Sequence, residues 1–480
     1  MNLYTIINKM PSVALIEANN LDNDRVDSKF YHYKYLANEI KLVNSNIALS
    51  YLEGIIASMS SPIGWQGIPS SDYLPKGEGI PLIRVQNIGD AFLIQENLID
   101  VKPHIYHEQP FIQVQPEDLI ITRVGTIGRV CIAPSENKNY AMGQNLTKIR
   151  VKSDVDPYYV LIYLLSSSSY LQMERFAYGG VQPSLTNRNI KKIQIPIPSP
   201  EIQKYIGDKV RKAEKLRGEV QIMKNKSVGI LNKYLEKPKI SERSYSISLV
   251  ERADLSNRID AEFYGQEYLG TIKSLKAKYE LISLEQICKG RIFNGKTYRT
   301  SSDWSSLQNI GVGELGDWFP KRNEDKGINE KVSAKNILPY GSIVWGNAAH
   351  LARYIGQKVN IILEGTRFVG TTEITSILPD ESIMSPYFVF LFMNSDWGYY
   401  QIQRTVKGMT AHSYPDDIRN ILLPVINFTQ DELQEMKSNI INAHSALKYS
   451  QELIDSAISD IEDLIEGKFE IKKEYLNLIE

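Results

Sequence analysis

The chain has 480 residues, a formal net charge of -1, 42% hydrophobic residues and 23% charged residues. This composition is ordinary for a globular protein and argues against a disordered chain, and the sequence has no run of about 18 apolar residues that could span a membrane. At about 150 residues per domain, the length predicts roughly three folded units. Because the sequence has no secretory signal pattern and only two cysteines, Cys131 and Cys288, we expect a cytoplasmic protein without disulfides or a thiolate metal site.

The first half of the chain has the pattern of a mixed α/β domain. It opens with the segment Arg-Val-Asp-Ser-Lys-Phe-Tyr at residues 25–31. Short apolar and β-branched runs then predict strands, and two longer apolar stretches predict helices. The predicted strands are residues 81–85, 118–122, 128–132, 146–151 and 192–196, and the predicted helices are residues 157–166 and 168–178.

A long helix is predicted to follow at residues 199–240. Pro200 and Glu201 suit its first turn, and apolar or small residues recur in alternating steps of three and four, with polar interruptions at Lys209 and Ser227. Its predicted seam includes Ile206, Ala213 and Val220. Residues 175–240 contain fifteen Lys and Arg against five Asp and Glu, which makes this stretch strongly basic.

The second half repeats the first. Residues 258–264, Arg-Ile-Asp-Ala-Glu-Phe-Tyr, match residues 25–31, and Gln-Asn-Ile-Gly at 308–311 matches the same letters at 86–89. The predicted strands here are residues 342–345, 360–363 and 373–378, and the predicted helices are residues 386–394 and 397–405. Because this period is far longer than the 20 to 50 residues of a solenoid repeat, it indicates a duplicated domain.

A second long helix, at residues 428–468, ends this half. It carries an unbroken heptad seam and is acidic, with nine Asp and Glu against three Lys between residues 429 and 468. Its predicted seam includes Leu433, Ile440, Leu447, Ile454 and Ile461.

Two arrangements of the long helices are open: each packs on its own domain, or the two pair with each other. Their opposite charges favour pairing, because charges beside a coiled-coil seam select partners. An antiparallel pair would form a spacer of about 50 Å at 1.5 Å per residue. The predicted fold is therefore α/β (α+β), with two similar domains and an antiparallel coiled coil. The predicted boundaries are an N-terminal segment at 1–24, domains at 25–198 and 241–427, helices at 199–240 and 428–468, and a tail at 469–480.

The loops between the predicted strands are rich in Gly, Asn, Gln, Thr and Arg. These side chains match base edges: Arg pairs with guanine, Asn and Gln with adenine, and Ser or Thr with either. Any one of them can be an ordinary turn residue, so their concentration in loops is the signal. The candidates for base contacts are Gln86, Asn87, Thr122, Arg123, Thr126, Gln144, Asn145, Asn347, His350, Arg353, Thr372 and His412, and those for phosphate contacts are Arg188, Lys191, Lys192, Lys296 and Arg299.

Two further patterns suggest other chemistry. Residues 290–297 satisfy the P-loop pattern, with Lys296 as its lysine, but neither a buried strand before it nor a helix after it is predicted. His104 and His107 lie three residues apart without a carboxylate or thiolate to complete a metal site, in a segment that we expect to be a loop, so no metal is expected.

Taken together, the motifs resemble the DNA-specificity (S) subunits of type I restriction-modification systems. The resemblance covers nearly the whole chain and rests on the doubled 25–31 motif, Pro-Leu-Ile-Arg-Val-Gln-Asn-Ile-Gly at 81–89, Asp-Leu-Ile-Ile-Thr-Arg-Val-Gly-Thr-Ile-Gly-Arg at 118–129, Gly-Gln-Asn at 143–145 and the segment 179–196. It implies a non-catalytic bacterial or archaeal subunit in which each of two target recognition domains recognises half of a bipartite DNA site.

The resemblance also implies partners. Two methyltransferase subunits would dock on the helices and a restriction (translocase) subunit would join for cleavage in defence against phage DNA, with S-adenosylmethionine, ATP and magnesium bound by those partners and no cofactor in this chain. The two halves differ most at Arg123 against Asn347 and at Gln144 against Thr372, which predicts two different half-sites. The rival hypotheses are an ATPase or nuclease that uses Lys296 and a two-domain adaptor that binds proteins.

Overall fold

The structure is a computed structural model, and the two halves are mixed α/β units as predicted. It describes residues 4–8, 13–18, 21–22, 25–62, 67–96, 98–135, 139–179, 182–238, 250–252, 255, 258, 260–301, 307–365 and 367–471. Several predicted features lie outside these residues: the start of the second domain at 241, Ile259 of the repeated motif, and the end of the C-terminal tail at 472–480. The described residues form two compact units, the first drawn from 1–218 and 447–480 and the second from 219–446.

The first unit contains fourteen described strands, and most of its helices lie between these strands in the sequence. Its strands are β1 (Tyr4–Asn8), β2 (Val13–Ile16), β3 (Leu49–Tyr51), β4 (Ile56–Ser60), β5 (Tyr73–Leu74), β6 (Ile80–Ile83), β7 (Ala91–Phe92), β8 (Ile99–Val101), β9 (Gln113–Val114), β10 (Leu119–Thr122), β11 (Val130–Ile132), β12 (Tyr140–Met142), β13 (Leu146–Val151) and β14 (Gln194–Pro196). Its helices are α1 (Tyr33–Val43), α2 (Leu52–Ile55), α3 (Pro103–Glu108), α4 (Pro157–Leu165), α5 (Ser167–Phe176), α6 (Asn187–Lys191) and the first part of α7 (Pro200–Tyr234).

The second unit repeats this order with fewer strands. Its strands are β15 (Leu281–Ser283), β16 (Ile292–Asn294), β17 (Thr300–Ser301), β18 (Gln308–Ile310), β19 (Gly327–Ile328), β20 (Ile343–Gly346), β21 (Ala348–Ala349), β22 (Val359–Ile361), β23 (Phe368–Gly370), β24 (Ile374–Ile377), β25 (Ala411–His412) and β26 (Leu422–Pro424). Its helices are α8 (Gln266–Lys276), α9 (Leu284–Cys288), α10 (Pro386–Met393), α11 (Asp396–Thr405), α12 (Pro415–Ile418) and part of α13 (Gln430–Ile465).

The sheets of the two units have matching topologies. In the first unit the main sheet has the order β4-β13-β10-β11-β7 and a second sheet the order β5-β8-β6-β12-β9. In the second unit the corresponding orders are β16-β24-β20-β22 and β17-β19-β18-β23. Each unit also has a two-stranded sheet, β14-β3 in the first unit and β15-β26 in the second. Strand β14 directly precedes α7, and β26 directly precedes α13. The duplication predicted from the sequence is thus confirmed at the level of strand order.

Each unit is built around one fully apolar helix. All side chains of α4 from Tyr158 to Leu164 are buried, and so are all eight of α10. Such helices carry no polar face, so they lie inside the core, where α4 contacts β7, β11 and α5. Cys131 and Cys288 are free and buried, as expected, and burial raises the pKa of both thiols.

The long helices pair in an antiparallel sense, which confirms the predicted coiled coil. In the first unit Nζ of Lys209 donates to Ser456 Oγ at 2.9 Å and to Asp460 at 2.5 Å. Further along α7, Arg217 Nε donates to Ser450 Oγ at 3.1 Å. A later residue of α7 thus contacts an earlier residue of α13, which is the antiparallel order. In the second unit Lys233 and the Tyr234 hydroxyl both contact Glu432, at 3.2 and 2.7 Å. Each helix contributes residues to both units.

The seam residues lie where the heptad pattern places them. Six of them are buried, while Leu433 and Leu447 are partly buried. The buried six are Ile206, Ala213, Val220, Ile440, Ile454 and Ile461. Lys209 is a polar residue within the apolar seam. Its side chain is only 1% exposed and forms an ion pair with Asp460 of α13.

We predict that Asp460→Ala destabilises the first unit by about 3–5 kcal/mol, because it removes the carboxylate that pairs with the buried Lys209 ammonium. Replacing both partners with apolar residues, as in Lys209→Met with Asp460→Leu, should recover most of that loss. The measurement is urea unfolding followed by circular dichroism. The matched control is Lys204→Ala, which breaks the exposed Lys204–Asp208 pair of the same helix and should cost less than about 1 kcal/mol. Equal effects from Asp460→Ala and Lys204→Ala would contradict this assignment.

Candidate nucleic-acid interface

Three loops of the first unit meet at Arg123. The Arg123 amide donates to the carbonyl of Asn145 at 2.9 Å, and the Leu185 amide donates to the carbonyl of Arg123 at 2.8 Å. A short hairpin leads into this point, because Tyr178 and Ser184 exchange two backbone hydrogen bonds at 2.9 and 2.7 Å. The loops after β10, after β12 and after α5 are therefore joined through the main chain.

The second unit has the same loop frame. The Asn347 amide donates to the carbonyl of Glu373 at 2.9 Å, and the Ser413 amide donates to the carbonyl of Asn347 at 2.8 Å. Lys407 and His412 exchange two backbone hydrogen bonds at 2.8 and 3.1 Å, as Tyr178 and Ser184 do. Asn347 therefore occupies the position of Arg123 and Glu373 that of Asn145, which places Thr372 at the position of Gln144.

One predicted equivalence is wrong. The shared letters Gln-Asn-Ile-Gly at 86–89 and 308–311 are not at matching positions, because the carbonyl of Ile83 accepts from Gly143 at 2.8 Å whereas that of Ile310 accepts from Thr371 at 2.9 Å. Ile310 therefore corresponds to Ile83, which puts Gln308 inside a strand while Gln86 lies in the turn after one.

The polar loop residues of the first unit gather around the frame. Gln86 and Gln144 line one cavity of about 280 Å³ together with Ile68, Tyr73, Arg84, Val85 and Gly143. Gln86, Thr126, Gln144 and Asn145 are exposed, and Arg123 is half-buried. Two of the segments singled out in the sequence, 81–89 and 143–145, thus contribute to one concave surface.

Arg123 has unused hydrogen-bonding capacity. Its Nε is buried without a hydrogen-bond partner among the described residues, and burial lowers the pKa of its guanidinium. Arg150 and Arg175, by contrast, each lie within 2.8 Å of a carboxylate, on Asp118 and Glu39. A guanidinium remains charged in proteins, so Arg123 presents a cation at the junction of the three loops.

Three predicted base-contacting residues hold the loops instead. Asn87 is fully buried, accepts from the Arg84 amide at 3.0 Å and donates to the carbonyl of Ile94 at 3.2 Å. Thr122 is fully buried and donates to the carbonyl of Thr126 at 2.6 Å. Asn347 is 2% exposed and its Nδ2 donates to the carbonyl of Thr372 at 3.2 Å. The side chains of these three residues hydrogen-bond to the main chain and are buried, so they are not available for base contacts.

The remaining second-unit candidates lie on connected loops. His350, Arg353 and Thr372 are exposed and His412 is half-buried. β21 pairs with β25, so that Ala348 lies opposite His412, and the Thr372 amide donates to Thr297 Oγ1 at 3.3 Å. The loop of Arg353 is supported from α11, because the Tyr399 hydroxyl donates to the Arg353 carbonyl at 2.9 Å.

The phosphate candidates differ in how they are held. Lys191 forms an ion pair with Glu53 at 2.9 Å and Lys192 one with Asp22 at 3.4 Å. Lys296, Arg299 and Arg188 are exposed. Lys296 and Arg299 lie in the segment between β16 and β17, next to Thr297, so they lie beside the loop of Thr372.

The P-loop alternative lacks its structural context. The order around residues 290–297 is helix α9, strand β16, loop and strand β17, so no helix receives the glycine-rich segment. Without a helix N-terminus behind the loop, the backbone does not form a phosphate cradle. His104 and His107 lie on helix α3, not on the expected loop, and the described residues contain no group of three or more potential metal ligands.

The doubled motif braces the loop frame, a role that the sequence alone did not predict. Arg258 binds Asp260 at 2.5 Å and donates to the carbonyls of Thr405 and Val406 at 3.2 and 3.3 Å, where α11 ends and the hairpin begins. The Tyr264 hydroxyl donates to the carbonyl of Arg258 at 2.6 Å.

The first copy of the motif repeats these contacts in part. Arg25 binds Asp27 at 2.6 Å, the Tyr31 hydroxyl donates to the carbonyl of Arg25 at 3.0 Å, and the Arg25 guanidinium lies 4.8 Å from the ring centre of Tyr178. In both copies the arginine lowers the pKa of its aspartate partner. The same Arg–Asp pair thus forms in both copies, and the recurrence of Arg, Asp, Phe and Tyr at matching positions of the motif is the signal that could have revealed the brace.

Comparisons with known proteins agree with these features. Residues 66–230 match a family model described as type I restriction modification DNA specificity domain. A putative type I restriction enzyme MjaX specificity subunit from Methanocaldococcus jannaschii is 31% identical over 154 residues, 32% of this chain and 33% of the relative. The chain therefore spans about a third of that curated relative.

Two solved structures complete the comparison. The S subunit of a type I restriction-modification system from M. genitalium is 12% identical, with a TM-score of 0.44 over 90% of this chain and 99% of that one. The HsdS subunit from Thermoanaerobacter tengcongensis is 12% identical, with a TM-score of 0.29 over 88% and 97% of the two chains.

We predict that Arg258→Ala loosens the hairpin that follows α11, because its carbonyl contacts and its bond to Asp260 are lost together. Hydrogen–deuterium exchange of the amides at 404–412 should become about tenfold faster. Arg258→Lys should not restore protection, since one ammonium cannot replace the planar fork. The matched control is Arg25→Ala, which should leave residues 404–412 unchanged; unaltered exchange in Arg258→Ala would refute the brace.

Proposed function

We propose that this chain, which carries a type I restriction-modification DNA specificity domain over residues 66–230, is a non-catalytic subunit that recognises a bipartite, asymmetric DNA sequence. One observation carries the proposal: two units share a backbone loop frame but present different side chains at equivalent positions, such as Arg123 against Asn347. Identical frames would hold both units against DNA in the same way. Different side chains would select different half-sites.

The first unit is suited to direct recognition of base edges. Arg123 is half-buried at the junction of the three loops and offers a bidentate donor pair that matches guanine O6 and N7. Gln86 and Gln144 share one concave surface, and Asn145 is joined to Arg123 through the main chain. Amide side chains of this kind pair with adenine N6 and N7.

The second unit would use a different set of side chains. His350, Arg353, Thr372 and His412 lie on loops that are connected by the β21–β25 pair and by the Thr297–Thr372 contacts. With Asn347 buried, this unit has no arginine at the central position and places Arg353 farther along the loop. The two half-sites should therefore differ in sequence.

Contacts to phosphates would supply affinity and register without sequence choice. Lys296 and Arg299 are the strongest candidates because they are exposed beside the Thr372 loop. Arg188 is exposed on α6, three residues after the frame residue Leu185. Lys191 and Lys192 would have to exchange their carboxylate partners for phosphates.

The chemistry would belong to partner subunits. We propose that two methyltransferase subunits dock on the paired helices and that a restriction (translocase) subunit joins for cleavage in the cytoplasm of a bacterial or archaeal cell. S-adenosylmethionine, ATP and magnesium would bind to those partners. One finding supports assigning ATP to a partner: in the described segment 260–301 the P-loop pattern at 290–297 is followed by a strand and not by a helix. No helix in the described part of the chain is long and apolar enough to cross a membrane.

The test is selection of DNA from a random pool by the full chain co-expressed with the methyltransferase that it copurifies with. We expect two enriched blocks separated by a fixed gap. Enrichment of a single block or of none would reject the bipartite model, and retention of protein partners without any DNA preference would favour the adaptor hypothesis. ATP hydrolysis by the chain alone that is lost in Lys296→Ala would favour the ATPase hypothesis.

We predict that Arg123→Ala loses about 1–3 kcal/mol of discrimination at one base pair of the first half-site, because a bidentate arginine contact is removed. Recognition of the second half-site should be unchanged. Competition binding with single-base variants of each half-site measures this. The reciprocal control is Arg353→Ala, which should affect the second half-site alone; loss at both half-sites from either variant would contradict separate recognition.

We also predict that the double variant Lys296→Ala with Arg299→Ala weakens binding to all DNA sequences about equally. Each lost phosphate contact should reduce the slope of log affinity against log salt by about 0.9. Filter binding between low and physiological salt measures both quantities. The double variant Lys276→Ala with Lys278→Ala, at the exposed end of α8, is the charge-matched control and should leave the slope unchanged. A change in base preference would show that these residues contact bases.

A further inference from the structure

The hairpin that follows α11 carries an apolar side chain at its tip. Met409 has a relative exposure of 107%, the highest value for a large apolar side chain in the described part of the chain. Exposed single apolar residues are common on protein surfaces, so exposure alone assigns no role. The surroundings of this residue are more informative.

The base of the hairpin is held firmly. Lys407 and His412 exchange two backbone hydrogen bonds, and Gly408 between them has a φ of +88°, which favours glycine at this turn. The Lys407 ammonium forms an ion pair with Asp417 at 2.6 Å. Arg258 binds the carbonyls just before the hairpin, at Thr405 and Val406. The exposure of Met409 is therefore not the result of a poorly supported loop.

The hairpin is part of the candidate DNA-binding surface. Its second strand, β25, pairs with β21, so His412 lies opposite Ala348, two residues before the candidate base reader His350. The next residue, Ser413, donates its amide to the carbonyl of Asn347, the central residue of the loop frame.

Groups that suit DNA flank Met409. Lys407 is cationic, and the rings of His412 and Tyr414 stack at 6.1 Å with an interplanar angle of 20°. Tyr414 is 45% exposed. The Lys407 ammonium lies 5.1 Å from the centre of the Tyr414 ring, so the hairpin combines one fixed apolar tip with a cation over an exposed aromatic ring. A surface that packs against another protein would need a wider apolar area.

We propose that the hairpin Lys407–His412 inserts Met409 into the base stack of the second half-site. This inference rests on the proposed function and deepens it. Proteins that insert an apolar side chain between base pairs unstack them and kink the duplex, and the thioether of methionine is soft enough to fit an irregular gap. The cost of unstacking depends on the sequence.

A wedge of this kind would add indirect recognition to the second unit. Pyrimidine–purine steps unstack more readily than other steps, so the second half-site should prefer one at the point of insertion, without a hydrogen bond to either base. In the first unit, residues 180 and 181, between the paired Tyr178 and Ser184, lie outside the described residues, so the inference concerns the second unit.

The test uses the full chain with its copurifying methyltransferase and the DNA selected from the random pool, with 2-aminopurine placed at successive positions of the second half-site. We expect binding to raise the fluorescence at one step. Met409→Ala should abolish this rise and weaken binding about five- to tenfold, whereas Met409→Leu should retain the rise. First half-site preferences should not change in either variant.

The matched control is Ile383→Ala, an apolar residue of the same unit that is 38% exposed and lies before α10. It should behave as the unmodified chain. If the unmodified complex binds bipartite DNA but no step responds, or if Met409→Ala responds fully, the insertion is rejected. Loss of the methyltransferase from Met409→Ala during size-exclusion chromatography would also reject it, in favour of a protein contact. Failure of the unmodified complex to select bipartite DNA would instead reject the proposed function.

Discussion

The candidate interface depends on main-chain hydrogen bonds that join its loops. In the first unit Arg123 is held through its amide and its carbonyl, and in the second unit Asn347 is held through the same two groups. Because every residue except proline supplies these groups, the frame places no demand on the side chain at its centre. An arginine and an asparagine can therefore occupy one position without a change in the loops around it. The two units can therefore keep the same loop geometry while they present different side chains.

The side chains of Arg123 and Asn347 differ in their hydrogen bonding. The guanidinium of Arg123 has an Nε without a partner among the described residues, whereas the amide of Asn347 turns inward to the carbonyl of Thr372. Burial of an amide is tolerated because it is hydrogen-bonded, and it removes that side chain from the surface. Under the proposed function, recognition by the second unit would come from neighbouring segments, among them the hairpin that carries Met409.

Much of the fold could be predicted from the sequence because the apolar patterns are strong. The strand at 146–151 has the predicted bounds, and the helices α4 and α10 start at the predicted prolines. Heptad spacing and opposite charge predict that the two long helices pair with each other. Sequence patterns do not show whether a polar loop residue faces outward, so they predict base contacts for Asn87 and Thr122, whose side chains hydrogen-bond to the main chain. The identical letters at 86–89 and 308–311 likewise predict that these segments are equivalent. Strand pairing shows that they are not, because Ile310 corresponds to Ile83.

The same physical logic extends to the helices. Lys209 interrupts the apolar seam yet is nearly inaccessible, and its contacts to Ser456 and Asp460 fix one register in the first unit. A sliding of the helices by one turn would separate that ammonium from its counter-ion at a cost of several kcal/mol, of the order of 3–5 for a broken buried pair. A seam of leucine alone would not penalise such a slip. Under the proposed function, two half-sites at a fixed gap need a single register, and a buried polar pair provides it at some expense of stability.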